Sequence, residues 1–211
     1  GAKKLGLAGQ VNAQHFQDLL EGNDPNTKKN LYCANHDNNK RRAGIDLTFS
    51  APKSVSLVAL VAGDDRVEED HKKAVKAALD VAEKRYSYTR VGPKDNRSIE
   101  VTNNLIIAQF HHDTSRAQDP QLHTHAVVIN ATKRADGKWR AQHNDGFYSN
   151  SKLLGLVYQN ELAIEVKKIG YDIELKKGGT FEIAGYSDLE LKAFSKRRAA
   201  IENLGATSQK E

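Results

Sequence analysis

The sequence predicts an α+β fold in which helices form a layer on a central antiparallel sheet, and three observations carry that expectation. Residues 44–50 alternate cleanly, with Ile45, Leu47 and Phe49 on one side and Asp46, Thr48 and Ser50 on the other. Two apolar runs, at about 98–112 and 122–132, are joined by turn-forming residues that include Ser115, Asp119 and Pro120. Three or four other segments repeat apolar residues at helical spacing. The chain has 211 residues and no internal repeat, so residues 1–211 are expected to form a single domain.

The elements follow in order. Asn12 is placed to cap a short helix that buries Phe16, Leu19 and Leu20 and closes at Gly22. Asn23 to Asn39 is polar and reads as a long loop delivering Lys40, Arg41 and Arg42 to a surface. After the strand at 44–50, Ser50 and Pro52 open an apolar helix through Val55, Leu57, Val58 and Leu60. With Lys53 beside it, the helix N-terminus is a candidate anion site. A second helix is expected from about Asp65 to Tyr88, with His71 on its apolar stripe and therefore a packing residue. Arg90 to Arg97 reads as a turn, and the strands at 98–112 and 122–132 follow. Ala135 to Lys138 turns into a short strand around Trp139 and Arg140. A long helix is expected over 149–170, then a hairpin around Lys176-Lys177-Gly178-Gly179. A capping box at Ser187 to Glu190 starts a last helix burying Leu191, Phe194, Ile201 and Leu204.

Composition narrows the function classes. With apolar residues at 38% and charged residues at 28%, the chain reads as globular, and no run approaches the ~18 apolar residues of a membrane span. No signal peptide is seen and no membrane insertion is expected, which places the protein in the cytoplasm. One cysteine, Cys33, excludes an internal disulfide and a cysteine-based zinc site. The net charge of +5 is unevenly spread: Lys40 to Arg42 form one basic cluster and Lys133, Arg134, Lys138 and Arg140 another, while residues 64–70 are acidic. Segregated charge of this kind suits a surface that tracks phosphates. The chain contains no methionine, so Gly1 is not expected to be the natural start.

His123 and His125 lie two apart in a strand-forming run, so both imidazoles face one way. If the two apolar runs pair as antiparallel neighbours, His112 lands beside them and His111 faces away. Three neutral imidazoles converging on a point make a divalent metal site with positions left open, the arrangement of a catalytic ion. Asp46 occupies the polar side of its strand.

The block from His112-Asp113-Thr114-Ser115-Arg116 to Asp119-Pro120-Gln121-Leu122-His123-Thr124-His125 resembles the three-histidine motif of the HUH endonucleases. In this extended form it resembles the plasmid conjugation relaxases of the MobF class. The stretch Gly44-Ile45-Asp46-Leu47-Thr48-Phe49-Ser50-Ala51-Pro52-Lys53 resembles the second motif of that class. The resemblance covers nearly the whole chain and implies a central antiparallel sheet of about five strands with the histidines on its exposed face. It also implies that one divalent ion (Mg, Mn, Zn or Ni) on His112, His123 and His125 polarises a phosphodiester while a tyrosine attacks it. Asp46 would orient a metal histidine or take the tyrosine proton.

The implied partner is single-stranded or hairpin origin-of-transfer DNA, contacted through Lys40, Arg41, Arg42, Lys53, Arg116, Lys133, Arg134, Lys138 and Arg140. Accessory relaxosome proteins, a coupling protein and a helicase domain after Glu211 accompany many relatives, and the chain itself is expected to be a monomer. Nucleophiles of this class lie in a tyrosine-rich segment that matches none of Tyr32, Tyr86, Tyr88, Tyr148, Tyr158, Tyr171 or Tyr186. The chain therefore reads as N-terminally truncated, able to hold metal and DNA without cutting. Two other classes fit parts of the pattern: a metal-dependent phosphoesterase using the three histidines to activate water, and a non-catalytic single-stranded DNA-binding module.

Overall fold

Asn12 caps the first helix, α1 (Ala13–Glu21), by accepting the His15 backbone N–H at 3.0 Å, and Gly22 closes it in the left-handed region at φ 87°. The computed structural model describes residues 1–32, 42–93 and 95–196. Lys40, Arg41, Ile201 and Leu204 therefore lie outside the described residues. Strand β1 (Gly44–Ser50) keeps the expected alternation, with Ile45 and Phe49 buried and Asp46, Thr48 and Ser50 exposed. Helix α2 (Lys53–Leu60) starts from Pro52, and Ser50 makes no cap because it still belongs to the strand. Helix α3 (Asp65–Tyr86) ends before Tyr88, which opens strand β2 (Tyr88–Val91). β2 pairs antiparallel with β3 (Ser98–Val101), so the expected turn at 90–97 is the closed end of a hairpin.

The apolar run expected at 98–112 is two strands. Asn103 takes a positive φ of 50°, and the buried Asn104 amide binds the backbone of Lys133, which breaks the extended chain. β4 (Ile107–Thr114) and β5 (Pro120–Ile129) then form a hairpin whose loop is closed by the Ser115 N–H donating to the Asp119 carbonyl at 2.9 Å. The Ser115 hydroxyl accepts two further loop N–H groups, which explains why turn-formers cluster there.

Downstream, β6 (Thr132–Lys133) pairs with β7 (Trp139–Arg140). The long helix expected over 149–170 is α5 (Ser151–Lys168), and a short helix that the sequence did not show, α4 (Asp145–Ser149), precedes it. Between the two, the Asn150 side chain donates to the Gly146 carbonyl. β8 (Ile173–Lys176) and β9 (Thr180–Ile183) form the expected hairpin. Both reciprocal bonds of the capping box at Ser187 and Glu190 are made, starting α6 (Asp188–Ala193). Its apolar side is less buried than expected, with Leu191 half-buried and Phe194 exposed.

The central sheet has the order β1-β5-β4, three strands among the described residues where about five were expected. Bonds from Asn130 N–H to the Ala43 carbonyl and from Ala51 N–H to the Leu122 carbonyl flank β1 and set it antiparallel to β5. The chain divides into two compact units, one comprising residues 1–48, 79–110 and 125–154 and the other residues 49–78, 111–124 and 155–211. In the first, Leu5, Leu19, Leu31, Tyr32, Ile106, Ile129 and Ala131 form a buried cluster with Phe16 against it. In the second, Val55, Val67, Leu162, Val166 and Phe181 are buried, and the Phe49 and Tyr158 rings meet at 5.5 Å.

Candidate metal centre and nucleic-acid face

Strand β5 is two-sided. Leu122, Thr124, Ala126 and Val128 are buried, while Gln121, His123, His125 and Val127 are half-exposed, so the two histidines share the open face. The Nδ1–H of His123 donates to the Gln121 carbonyl at 2.8 Å. The Nδ1 of His125 meets the Asp46 carboxylate at 2.6 Å, with the Thr48 hydroxyl 3.2 Å from the same nitrogen. Asp46 and Thr48 reach His125 because both point to the exposed side of β1. With Nδ1–H held by an oxygen acceptor, the neutral form of each imidazole carries its lone pair on Nε2, the nitrogen that would ligate a divalent ion.

Across the β4–β5 hairpin, the His112 and His123 rings stack with centroids 5.2 Å apart and planes 24° off parallel. His111 faces the other side, as alternation requires, with Nδ1 2.8 Å from the Thr124 hydroxyl. That hydroxyl also lies 2.7 Å from Nε2 of His71, whose Nδ1 is 2.8 Å from the Tyr158 hydroxyl. His71 is thus an interior residue as expected, and burial pushes its pKa down to about 3, so it is neutral. The pattern of apolar residues placed His71 inside but carried no sign of its partners. Among the described residues, no group of three or more His, Cys, Asp or Glu side chains stands as a preformed metal cage. The chemistry of the donors nevertheless fits a divalent ion: imidazoles with one ring nitrogen held by a carbonyl or a carboxylate.

The expected phosphate contacts separate into two groups. Lys53 is half-buried and donates to the Pro120 carbonyl at 2.7 Å, and desolvation lowers its pKa. Arg134 is held by Glu100 at 2.7 Å and Asp136 at 2.9 Å. These two cations have partners inside the fold. The anion site expected at the α2 N-terminus is filled by the chain itself, because the Ser54 N–H and hydroxyl both donate to Glu182, at 2.8 and 2.5 Å. Arg116 and Lys138 are exposed, and the Lys133 ammonium lies 5.8 Å from the centroid of the Trp139 ring. Arg42 lies over the Tyr148 ring and, with Arg140, lines a recess of about 520 Å³ to which Arg90 and Arg97 also contribute. Sequence reasoning passed over Arg90 and Arg97 because they read as the ends of a turn. The hairpin pairing of β2 with β3 is what presents them.

The sequence model of the TrwC relaxase family matches residues 1–211. The chain belongs to the TrwC relaxase family. The relaxase motif block lies on β4 and β5, and its Asp-strand-helix element is β1 with α2. Among curated relatives, the multifunctional conjugation protein TraI of Escherichia coli is 42% identical over 95% of this chain. The chain spans 12% of that protein's length. Among solved structures, the conjugative relaxase TrwC in a metal-bound complex with oriT DNA superposes with a TM-score of 0.93 at 45% identity, over 99% of this chain and 72% of that one. A copper-bound TrwC–oriT complex gives the same TM-score at 44% identity, over 99% and 71% of the two chains. The α+β fold with its antiparallel sheet is therefore that of a relaxase. No helix among the described residues is long and apolar enough to cross a membrane.

Proposed function

We propose that this relaxase domain nicks single-stranded origin-of-transfer DNA, holding one divalent ion on His112, His123 and His125. The observation that carries the reading is the 2.6 Å contact between Asp46 and Nδ1 of His125 on the open face of the sheet. A carboxylate on the far nitrogen fixes the tautomer and ring plane of a ligating histidine and raises its basicity. Of the two roles open to Asp46 from sequence, orienting His125 is the one this contact favours. A bound divalent ion would act as a Lewis acid toward a non-bridging oxygen of the scissile phosphate. TrwC carries metal and oriT DNA in its solved complexes, which supports both partners for this chain.

In the proposed reaction a tyrosine hydroxyl attacks phosphorus, a 5′-phosphotyrosine bond forms and the 3′-oxygen leaves as a hydroxyl. That tyrosine is not assigned within residues 1–211. Tyr158 is enclosed with its hydroxyl on His71, and the Tyr171 hydroxyl is given to Asp64 at 2.8 Å. Arg42, Arg90, Arg97 and Arg140, lining one recess, carry the charge that would hold the DNA backbone. The family model runs unbroken over 1–211, which supports reading the chain as one relaxase domain. Accessory proteins, a coupling protein and a further helicase domain remain expectations drawn from the family.

The test uses the natural protein that contains this chain, incubated with labelled single-stranded DNA tiling the transfer origin of its own replicon, with and without chelator. Denaturing electrophoresis should show cleavage at one site, with protein covalently on the 5′ end of the downstream fragment, only when metal is present. Metal-dependent hydrolysis without an adduct would favour the phosphoesterase reading, and unaltered binding with no cleavage would favour the DNA-binding module.

A further inference from the structure

Thr124 is fully buried at an inner position of β5, where its neighbours on that face are Leu122 and Ala126, and a valine would fill the same space. A hydroxyl there costs stability unless it is bonded, and this one has two imidazole partners, His71 and His111. The direction of the bonds follows from one proton. The Tyr158 hydroxyl is buried, and its partner is Nδ1 of His71. If His71 carried its proton on Nδ1, the Tyr158 O–H would be left with no acceptor. Tyr158 therefore donates to His71, Nε2–H of His71 donates to Thr124, and the Thr124 O–H donates to Nδ1 of His111. His111 is left as its Nε2–H tautomer, with no lone pair to offer a metal.

We infer that Thr124, gripped between His71 and His111, is a positioning residue for the metal centre. The inference rests on the metal centre proposed above. One residue along each strand from the His111–Thr124 pair, and on the opposite face, stand His112 and His123 with their rings stacked at 5.2 Å. The grip ties β4 and β5 to α3 through His71 and to α5 through Tyr158, fixing the pleat at the point where the two imidazoles face each other. A network whose inner members, Tyr158, His71 and Thr124, are buried rigidifies its surroundings, whereas apolar packing alone would leave the hairpin freer to slide and twist. The same network withdraws His111 from competition with His112, its neighbour in sequence.

The experiment measures Mn²⁺ affinity by calorimetry for the wild-type chain, Thr124→Val and Thr124→Ser, together with histidine ¹⁵N spectra of each. Thr124→Val should raise the Mn²⁺ Kd about tenfold or more, the scale of other supports one step removed from a metal, and Thr124→Ser should restore it. The His111 signals should report the Nε2–H tautomer in wild type and lose that preference in Thr124→Val. A Thr124→Val protein that is less stable yet binds Mn²⁺ within twofold of wild type would overturn the inference and leave the hydroxyl a packing feature. If Thr124→Val does not fold, Thr124→Ala removes the same hydroxyl from a side chain that cannot crowd the site. Loss of the His111 preference then supports the network, and an unchanged spectrum overturns it. A wild-type chain that takes up no Mn²⁺ would count against the metal centre itself, and the spectra, which need no metal, would still decide whether Thr124 is gripped.

Discussion

At the scale of single residues, the Asp46 carboxylate lies 2.6 Å from Nδ1 of His125. Alternation along β1 puts it on the exposed face, and the bond to His125 follows from that placement. Asp46→Ala should leave the fold intact, since the side chain is exposed, and weaken divalent-metal binding by about 10–100-fold in a calorimetric titration. Asp46→Asn, which keeps an acceptor oxygen but loses the charge, should fall between. His71 gives a second prediction, in pH. Its folded pKa of about 3 lies below the ordinary histidine value of 6.5, so between those values the unfolded chain binds the extra proton. Stability from this group is complete above about pH 6.5 and falls as pH drops, by up to about 1.4 kcal/mol per unit. Urea unfolding at pH 7 and pH 5 should show a smaller loss for His71→Gln than for wild type. An equal loss would place the titration elsewhere, with His111 and His143, whose pKa values burial also lowers, as the next groups to test.

Elements were legible where a local rule is strict, and less so where a distant side chain decides. The Asn12 cap, β1 and the Ser187 box lie where local chemistry puts them, because each bond is made within a few residues. The break between β3 and β4 could not be read, since it depends on Asn104 binding the backbone of Lys133. Nor could the occupant of the α2 N-terminus, because Glu182 arrives from β9, far along the chain. The Ser54 hydroxyl also accepts the Ile183 N–H at 2.7 Å, so the α2–β9 contact is a small network. Glu182→Ala leaves the Ser54 N–H without its acceptor and should cost about 1–3 kcal/mol in chemical denaturation. No loss would mean that water serves the helix end equally well.

Over the whole molecule, membership of the TrwC relaxase family, shown over residues 1–211, agrees with the class of chemistry read from the histidine motif. The basic character of the chain was visible in its composition and Arg42 and Arg140 in its basic clusters, but the part of Arg90 and Arg97 was not. Lys53 and Arg134 are engaged within the fold, and Arg90, 3.7 Å from the Asp145 carboxylate, joins Arg97, Arg42 and Arg140 at one recess because β2 and β3 pair. Replacing Arg90 and Arg97 together should weaken binding of single-stranded DNA and lower the slope of log affinity against log salt by roughly 0.7 for each phosphate no longer neutralised. An unchanged slope would place the DNA on another face. The central claim is that His112, His123 and His125 hold one divalent ion, and its most direct measurement is metal stoichiometry. Wild type and the His123→Ala/His125→Ala double variant are equilibrated with Mn²⁺, freed of excess by gel filtration at matched concentration, and assayed by elemental analysis. One ion per wild-type chain and none in the variant is the predicted result. Equal metal in both proteins would contradict it.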